Sequence, residues 1–317
     1  MVADPSNPWP PLPYAEWRDT RDTLHRWLQI VGKVKLALTP LVNHWWNVAF
    51  YVTPRGLTTG TMPYGSGALS LTFDFLDAEL VVETSRGERR GLALLPRPVA
   101  WFYDDVLALL GSLGVDVRIW DHPVEIPSDT IPFHEDEQHR SFEAEPAQRF
   151  WRILLSTSMV LARHRAAFRG KACPVHFFWG SMDLAQTRFS GRPAPARPGA
   201  DPVTREAYSD ECWSAGFWPG DERYQRPAFY AYAAPAPPGM DRIDVGPGAF
   251  WSPSLGEHIL DYDEARSAPD PAARLLEFCE RSYEAAAALG GWDRERLERG
   301  PSAAPDRQGA GAPAPGA

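Results

Sequence analysis

The chain has 317 residues, 44% hydrophobic and 23% charged, with a net charge of −9 and three cysteines. That length is enough to bury a sizeable core, and the composition is that of a globular protein. Without a basic run a nucleic-acid partner is not expected, because neutralising phosphates needs clustered Lys and Arg. No stretch approaches the roughly 18 apolar residues of a membrane span, and the N-terminus lacks the basic, apolar pattern of a signal peptide. Cys173, Cys212 and Cys279 lie far apart without CxxC or zinc-like spacing, so a reducing, cytoplasmic setting is expected.

In chain order, residues 1–13 carry five prolines and form an extended arm that packs through Trp9. A helix is predicted from Tyr14 to about Leu38, where Leu24, Trp27, Leu28, Val31, Val34 and Leu38 recur at helical spacing. His25, Gln29 and Lys33 form an adjoining stripe; charged neighbours assign it to solvent, and the functional alternative makes it the floor of a cavity. Thr39-Pro40 ends the helix. Strands follow at His44–Thr53, Leu57–Thr61, Ala68–Phe75, Ala78–Thr84 and Arg89–Leu95, with short Gly- and Pro-rich turns that favour an antiparallel meander. A helix from Pro98 to Leu113 and a strand from Val115 to Trp120 come next.

Residues 121–144, with His122, His134, Glu135, Asp136, Glu137 and His139, read as an exposed acidic linker in preference to a metal site. A second long helix spans Glu145 to about Arg169. It leads into a hairpin at 174–192 that sets His176, Asp183, Gln186 and Arg188 among aromatic residues. Beyond a Pro-rich loop at 192–202, strands are predicted at Ala228–Ala233, Ala249–Ser252 and His258–Leu260, then a helix at Pro271–Leu289. From residue 300 the tail is Ala, Pro and Gly and is expected to be disordered. The fold class is therefore α+β: antiparallel meanders packed with long helices in one domain over 14–299.

Two halves, 14–120 and 145–290, repeat one order: helix, Gly-Lys, Pro, His, aromatic residues, strand, Arg. His44 and His176 would then enter the fold at equivalent places beside a shared cleft. Trp9-Pro10, Leu24-His25, Gln29 to Lys33, Asn43-His44-Trp45-Trp46, Arg55 to Thr59, His176 to Gly180 and Gly216 to Gly220 together resemble a family of uncharacterised bacterial proteins. These relatives of a cyanobacterial hypothetical protein are classified only as a domain of unknown function. The resemblance implies one domain over about residues 9–299, a bacterial and cytosolic setting, and no assigned activity.

The residues themselves point to a small-molecule enzyme. His44 or His176 would exchange protons, Asp183 would orient the imidazole, and Arg55 or Arg188 would hold an anionic group. Trp46, Trp179 and Trp218 would wall the pocket, with Gln29 and Lys33 reaching it; surplus tryptophan, 13 in all, supports such walls. A metal variant groups His44, His176, Glu257 and His258 around a divalent ion, although none share a tight ligand spacing. A non-catalytic module that binds a small molecule in the same pocket is the competing class, and histidines satisfied within a core are the purely structural one. No GxGxxG, P-loop or GxSxG pattern occurs, so no nucleotide cofactor is expected.

Overall fold

A computed structural model describes residues 7–126 and 129–300; the expectation for the tail beyond 300 lies outside them. Helix α1, Tyr14–Leu38, buries the predicted apolar arc from Leu24 to Val34 completely, and beyond it Thr39 returns its N–H to the Lys35 carbonyl. The adjoining stripe is not solvated as expected. His25, Gln29 and Lys33 are buried, because residues 121–126 and the turn at 179–181 fold over this side of the helix. The arm before α1 is tied down by its carbonyls, which accept from Ser156 and Tyr262.

Strands β1 (Tyr51–Thr53), β2 (Gly56–Thr58), β3 (Met62–Tyr64), β4 (Gly67–Asp74), β5 (Glu79–Thr84) and β6 (Arg89–Ala93) form an antiparallel sheet in the order β1-β2-β4-β5-β6, with β3 also on β4. In β4, Leu69, Leu71 and Phe73 point inward, as their alternation predicts. The first expected strand starts late. Asn43–Trp45 is a 3-10 turn in which His44 and Trp45 both adopt left-handed backbone, with φ of 57° and 60°. Helix α2 (Val99–Ser112) matches its sequence signal, but 115–120 is no strand. Its alternating Val115, Val117 and Ile119 pack on the core from an unpaired extended segment. The 121–144 segment is anchored, not exposed: Phe133, Asp136 and Phe142 are buried, and the Asp136 carbonyl accepts from the first turn of α2.

The second half holds α3 (Ala144–Ala166), β7 (His176–Phe178), β8 (Asp183–Pro193), α4 (Pro202–Ala207), β9 (Asp210–Trp218), β10 (Ala228–Ala234), β11 (Ala249–Ser252), β12 (Glu257–Asp261), α5 (Tyr262–Arg266), α6 (Pro271–Leu289) and α7 (Arg294–Leu297). Its sheet runs β11-β12-β10-β9-β8-β7. The two sheets meet where Phe50 and Phe177 exchange both backbone hydrogen bonds, at 2.8 and 2.9 Å. One face of this combined sheet packs on α1, α3 and α6.

Pleating sorts the second sheet sharply. Leu184, Gln186 and Arg188 pair with Phe217, Ala215 and Trp213 on the helix-covered face. His176, Asp183, Thr187, Ser214, Gly216, Tyr230, Tyr232 and Glu257 occupy the opposite face. The halves do not place their histidines equivalently: the second sheet ends with β12 and β11 exchanged, and His44 lies in a turn whereas His176 lies on a strand.

Candidate functional site

Asp183 is the centre of the helix-free face of the second sheet. It opens β8, opposite Phe178 of β7, and one register step beyond the Leu184–Phe217 pair brings Trp218 beside it on β9. Its two carboxylate oxygens accept hydrogen bonds from the Ser181 hydroxyl and the Tyr230 phenol. Tyr230 reaches Asp183 from β10 by lying across β9 over Gly216. A Cβ at Gly216 would run into the Leu184 carbonyl oxygen and stand 2.6 Å from the Tyr230 phenol oxygen, so only glycine fits between the neighbouring strand and the crossing ring. Along the same face the floor is small and polar: Ala185, Gly216 and the Thr187–Ser214 hydroxyl pair at 2.9 Å.

Two further carboxyl groups border Asp183. Glu125 projects from the segment after α2, itself in left-handed backbone, with φ of 58°, and its carboxyl lies against Gly180. Glu257 stands at the start of β12 on the same face as Tyr230 and Tyr232. Burial pushes the pKa of each up to about 7, and the Asp183 charge adds to the rise in both. Burial also raises Asp183, against the lowering effect of its Ser181 and Tyr230 bonds.

The Ser181 hydroxyl gives its one proton to Asp183, and its influence on Glu125 is to lower that carboxyl against the larger raising effect of burial. Ser181, Asp183 and Tyr230 thus form a hydrogen-bonded chain with Glu125 beside it. Tyr232 continues this face, and its hydroxyl meets that of Tyr208 at 3.1 Å.

The expected residues divide between this face and elsewhere. Asp183 and Trp218 belong to the site. His176 shares its face, with its ring edge-on to Trp46 and Tyr51, but Asp183 does not orient it: both Asp183 oxygens bind other groups and His176 Nδ1 has no partner. Burial, then the charge of Lys35, lowers His176 to about 4, so the imidazole is neutral at physiological pH.

His44 does not converge with Asp183. It stacks on Phe189 at 4.5 Å, six residues along β8, which is about 20 Å at the usual strand rise. There Nδ1 lies 3.1 Å from the Glu206 and Ala207 carbonyls, and Nε2 is 2.5 Å from Lys171 Nζ, which also pairs with Asp210 at 2.7 Å. Trp46 lies between the two histidines, half-buried.

Arg188 is a core residue on the covered face. Its guanidinium donates to the His164 carbonyl and lies 4.1 Å over the Tyr283 ring. Arg55 sits exposed on the first sheet, paired with Asp74 and Asp77. The five groups expected on one cleft are therefore separated. Gln29 serves the site indirectly, bracketing Val124 through its N–H and carbonyl and so fixing the segment that carries Glu125. Trp179 packs on Gly32 and donates to the Val48 carbonyl at 2.9 Å. Lys33 lies 4.6 Å over Trp120, and burial lowers its amine to about 8.

The metal grouping is not formed. His258 is on the helix-covered face with Nε2 2.6 Å from the Met240 carbonyl, Glu257 is on the other face, and His44 is remote. Among the described residues one set of side chains has metal-like spacing, Asp129, Asp136 and His139, and Arg26 already pairs with both of its carboxylates.

Sequence reasoning misses Glu125, Ser181, Gly216 and Tyr230, and it reaches Glu257 only as a metal ligand. Strand parity carries part of the signal, since Asp183 and Arg188 differ by an odd number on one strand. Compared with known proteins, residues 9–299 match the model of a family of unknown function (DUF5996). No curated protein and no solved structure matches the chain.

Proposed function

Because the chain belongs to DUF5996, a family without an assigned activity, we propose its role from its own residues: a small-molecule enzyme that exchanges protons through carboxyl groups. The observation that carries the reading is the carboxyl cluster itself: Asp183 bound by Ser181 and Tyr230, the Glu125 carboxyl against Gly180, and Glu257 on the same face. A carboxyl group with a value near 7 is present in both forms at neutral pH, which is what general acid–base chemistry requires. Asp183 holds the position and charge of the chain, and Glu125, more open to solvent, is the group that meets the ligand. Glu257 is the second exchangeable acid.

Phe178, Trp218 and Tyr230 provide apolar walls, and Thr187 and Ser214 provide hydroxyls on the floor. Three carboxyl groups around one floor repel an anionic centre and favour a ligand that presents an amine or hydroxyl there. The role expected of the histidines passes to the carboxyls, since His176 is held neutral and His44 is remote. Binding of an organic cation without turnover is the second reading, favoured by the same aromatic walls.

Carbon-13 carboxyl NMR tests the proposal directly. Glu125 is expected to titrate near 7 and to fall toward the ordinary carboxylate range in Asp183→Asn. An ordinary midpoint in the unaltered protein would remove the basis of the proposal. A thermal-shift screen of amines and polyols then separates the two readings: turnover of a bound compound that stops in Glu125→Gln supports catalysis, and tight binding with no turnover supports the module.

A further inference from the structure

The loop between β8 and β9 forms an open concavity beside this face. Residues 194–199 fold over the end of α4 to form a depression of about 390 Å³, lined by Arg197, Arg205, Tyr208, Ser209 and the Pro-rich backbone. Its lining contains two guanidinium groups and no carboxylate, in a chain of net charge −9. The Arg197 guanidinium carbon lies 4.5 Å from the centroid of the Tyr208 ring. A cation–π contact of this kind restrains the guanidinium without using up its N–H donors.

Tyr208 joins this concavity to the carboxyl site. Its ring carries Arg197, and its hydroxyl meets Tyr232 at 3.1 Å. Tyr232 stands two residues from Tyr230 on β10, a step of about 7 Å along the strand. Tyr208 lies within range of the Asp183 and Glu257 charges, and Glu125 within range of Asp201 at the start of α4, so the loop forms one border of the site. A ligand seated over Asp183 and longer than that step extends along the tyrosines toward Arg197 and Arg205.

We propose that the depression lined by Arg197, Arg205 and Tyr208 is an oxyanion subsite, and that the ligand is bipolar, with an amine or hydroxyl at the carboxyl cluster and a phosphate or carboxylate between the two arginines. The proposal rests on the carboxyl site being a ligand site, and it resolves the electrostatic problem that site poses. Three acids select against an anion at one end, and two guanidinium groups select for one at the other. A planar guanidinium presents paired donors that match the oxygens of either anion.

Calorimetric titration of the full chain with inorganic phosphate, and separately with acetate at matched ionic strength, tests it. The unaltered protein is expected to bind at least one of these anions, and the preferred one identifies which group the ligand carries. The Arg197→Ala/Arg205→Ala double variant should bind at least tenfold more weakly, while Arg55→Ala, an exposed arginine on the first sheet, should bind the anion as the unaltered protein does. Arg197→Lys, which keeps charge but loses the fork, should fall between and guards against misfolding of the double variant. No anion binding, or binding indifferent to both arginines, overturns the subsite. Equal weakening in Arg55→Ala would show a response to net charge alone and overturn the subsite as well. Failure of the carboxyl site alone would show in the NMR titration and leave the anion result standing.

Discussion

Replacing Glu257 by Gln puts the electrostatics of the site to a quantitative test. Gln is close in shape to a protonated Glu and cannot ionise, so the two proteins should have similar stability at pH 4.5, where Glu257 is mostly protonated when folded. Burial and the Asp183 charge raise Glu257 from an ordinary 4.5 to about 7 in the folded protein. A folded value above the unfolded one means that the stability tied to the neutral acid is fully present below 4.5 and is lost as pH rises through 7. At 1.36 kcal/mol per unit, a rise of this size corresponds to about 3 kcal/mol of stability lost across that window. Glu257 is half-buried, so this is an upper figure.

Urea unfolding of both proteins from pH 4.5 to 9 reads the difference directly, because titrating groups remote from Glu257 cancel in the comparison. The unaltered protein should lose about 2–3 kcal/mol relative to Glu257→Gln, with the loss complete once pH has passed 7. A difference that stays flat with pH, or one in which the unaltered protein gains, refutes the assignment of Glu257 to a desolvated site beside a charged Asp183.

Gly216→Ala should cost about 1–3 kcal/mol by crowding the Leu184 carbonyl and forcing Tyr230 off Asp183. Combined with Tyr230→Phe the loss should be less than additive in urea unfolding, since both changes remove the same hydrogen bond. Arg188→Ala should cost about 2–5 kcal/mol, as for loss of a large buried side chain, whereas Arg55→Ala on the surface should cost at most about 1 kcal/mol. Equal effects in thermal unfolding would contradict the core placement of Arg188. His176 is lowered from 6.5 to about 4, so its contribution is present above pH 6.5 and lost as pH falls toward 4. His176→Gln should therefore lose less stability than the unaltered protein between pH 6.5 and 4, measured by the urea midpoint at each pH.

Particular elements show how far the sequence can be read. The helices at 14–38 and 271–289 appear where apolar residues recur at helical spacing, and the hairpin at 174–192 appears where the turn and the aromatic strands predict it. The stripe His25, Gln29 and Lys33 departs from its solvated reading because charge in a helix implies water only if nothing later in the chain folds over it. Residues 121–126 do so. The pairing of Asp183 with Arg188 fails on a rule visible in the sequence, that odd separations on a strand face opposite ways.

The sequence by itself determined the α+β class and most of the elements, because these depend on local periodicity. Tertiary structure alone decided what surrounds Asp183. Glu125, Ser181, Tyr230 and Glu257 come from four separate segments, and strand register together with one loop crossing brings them onto one face. Register and loop paths are set by long-range pairing, and proximity of that kind leaves no spacing in the chain to read.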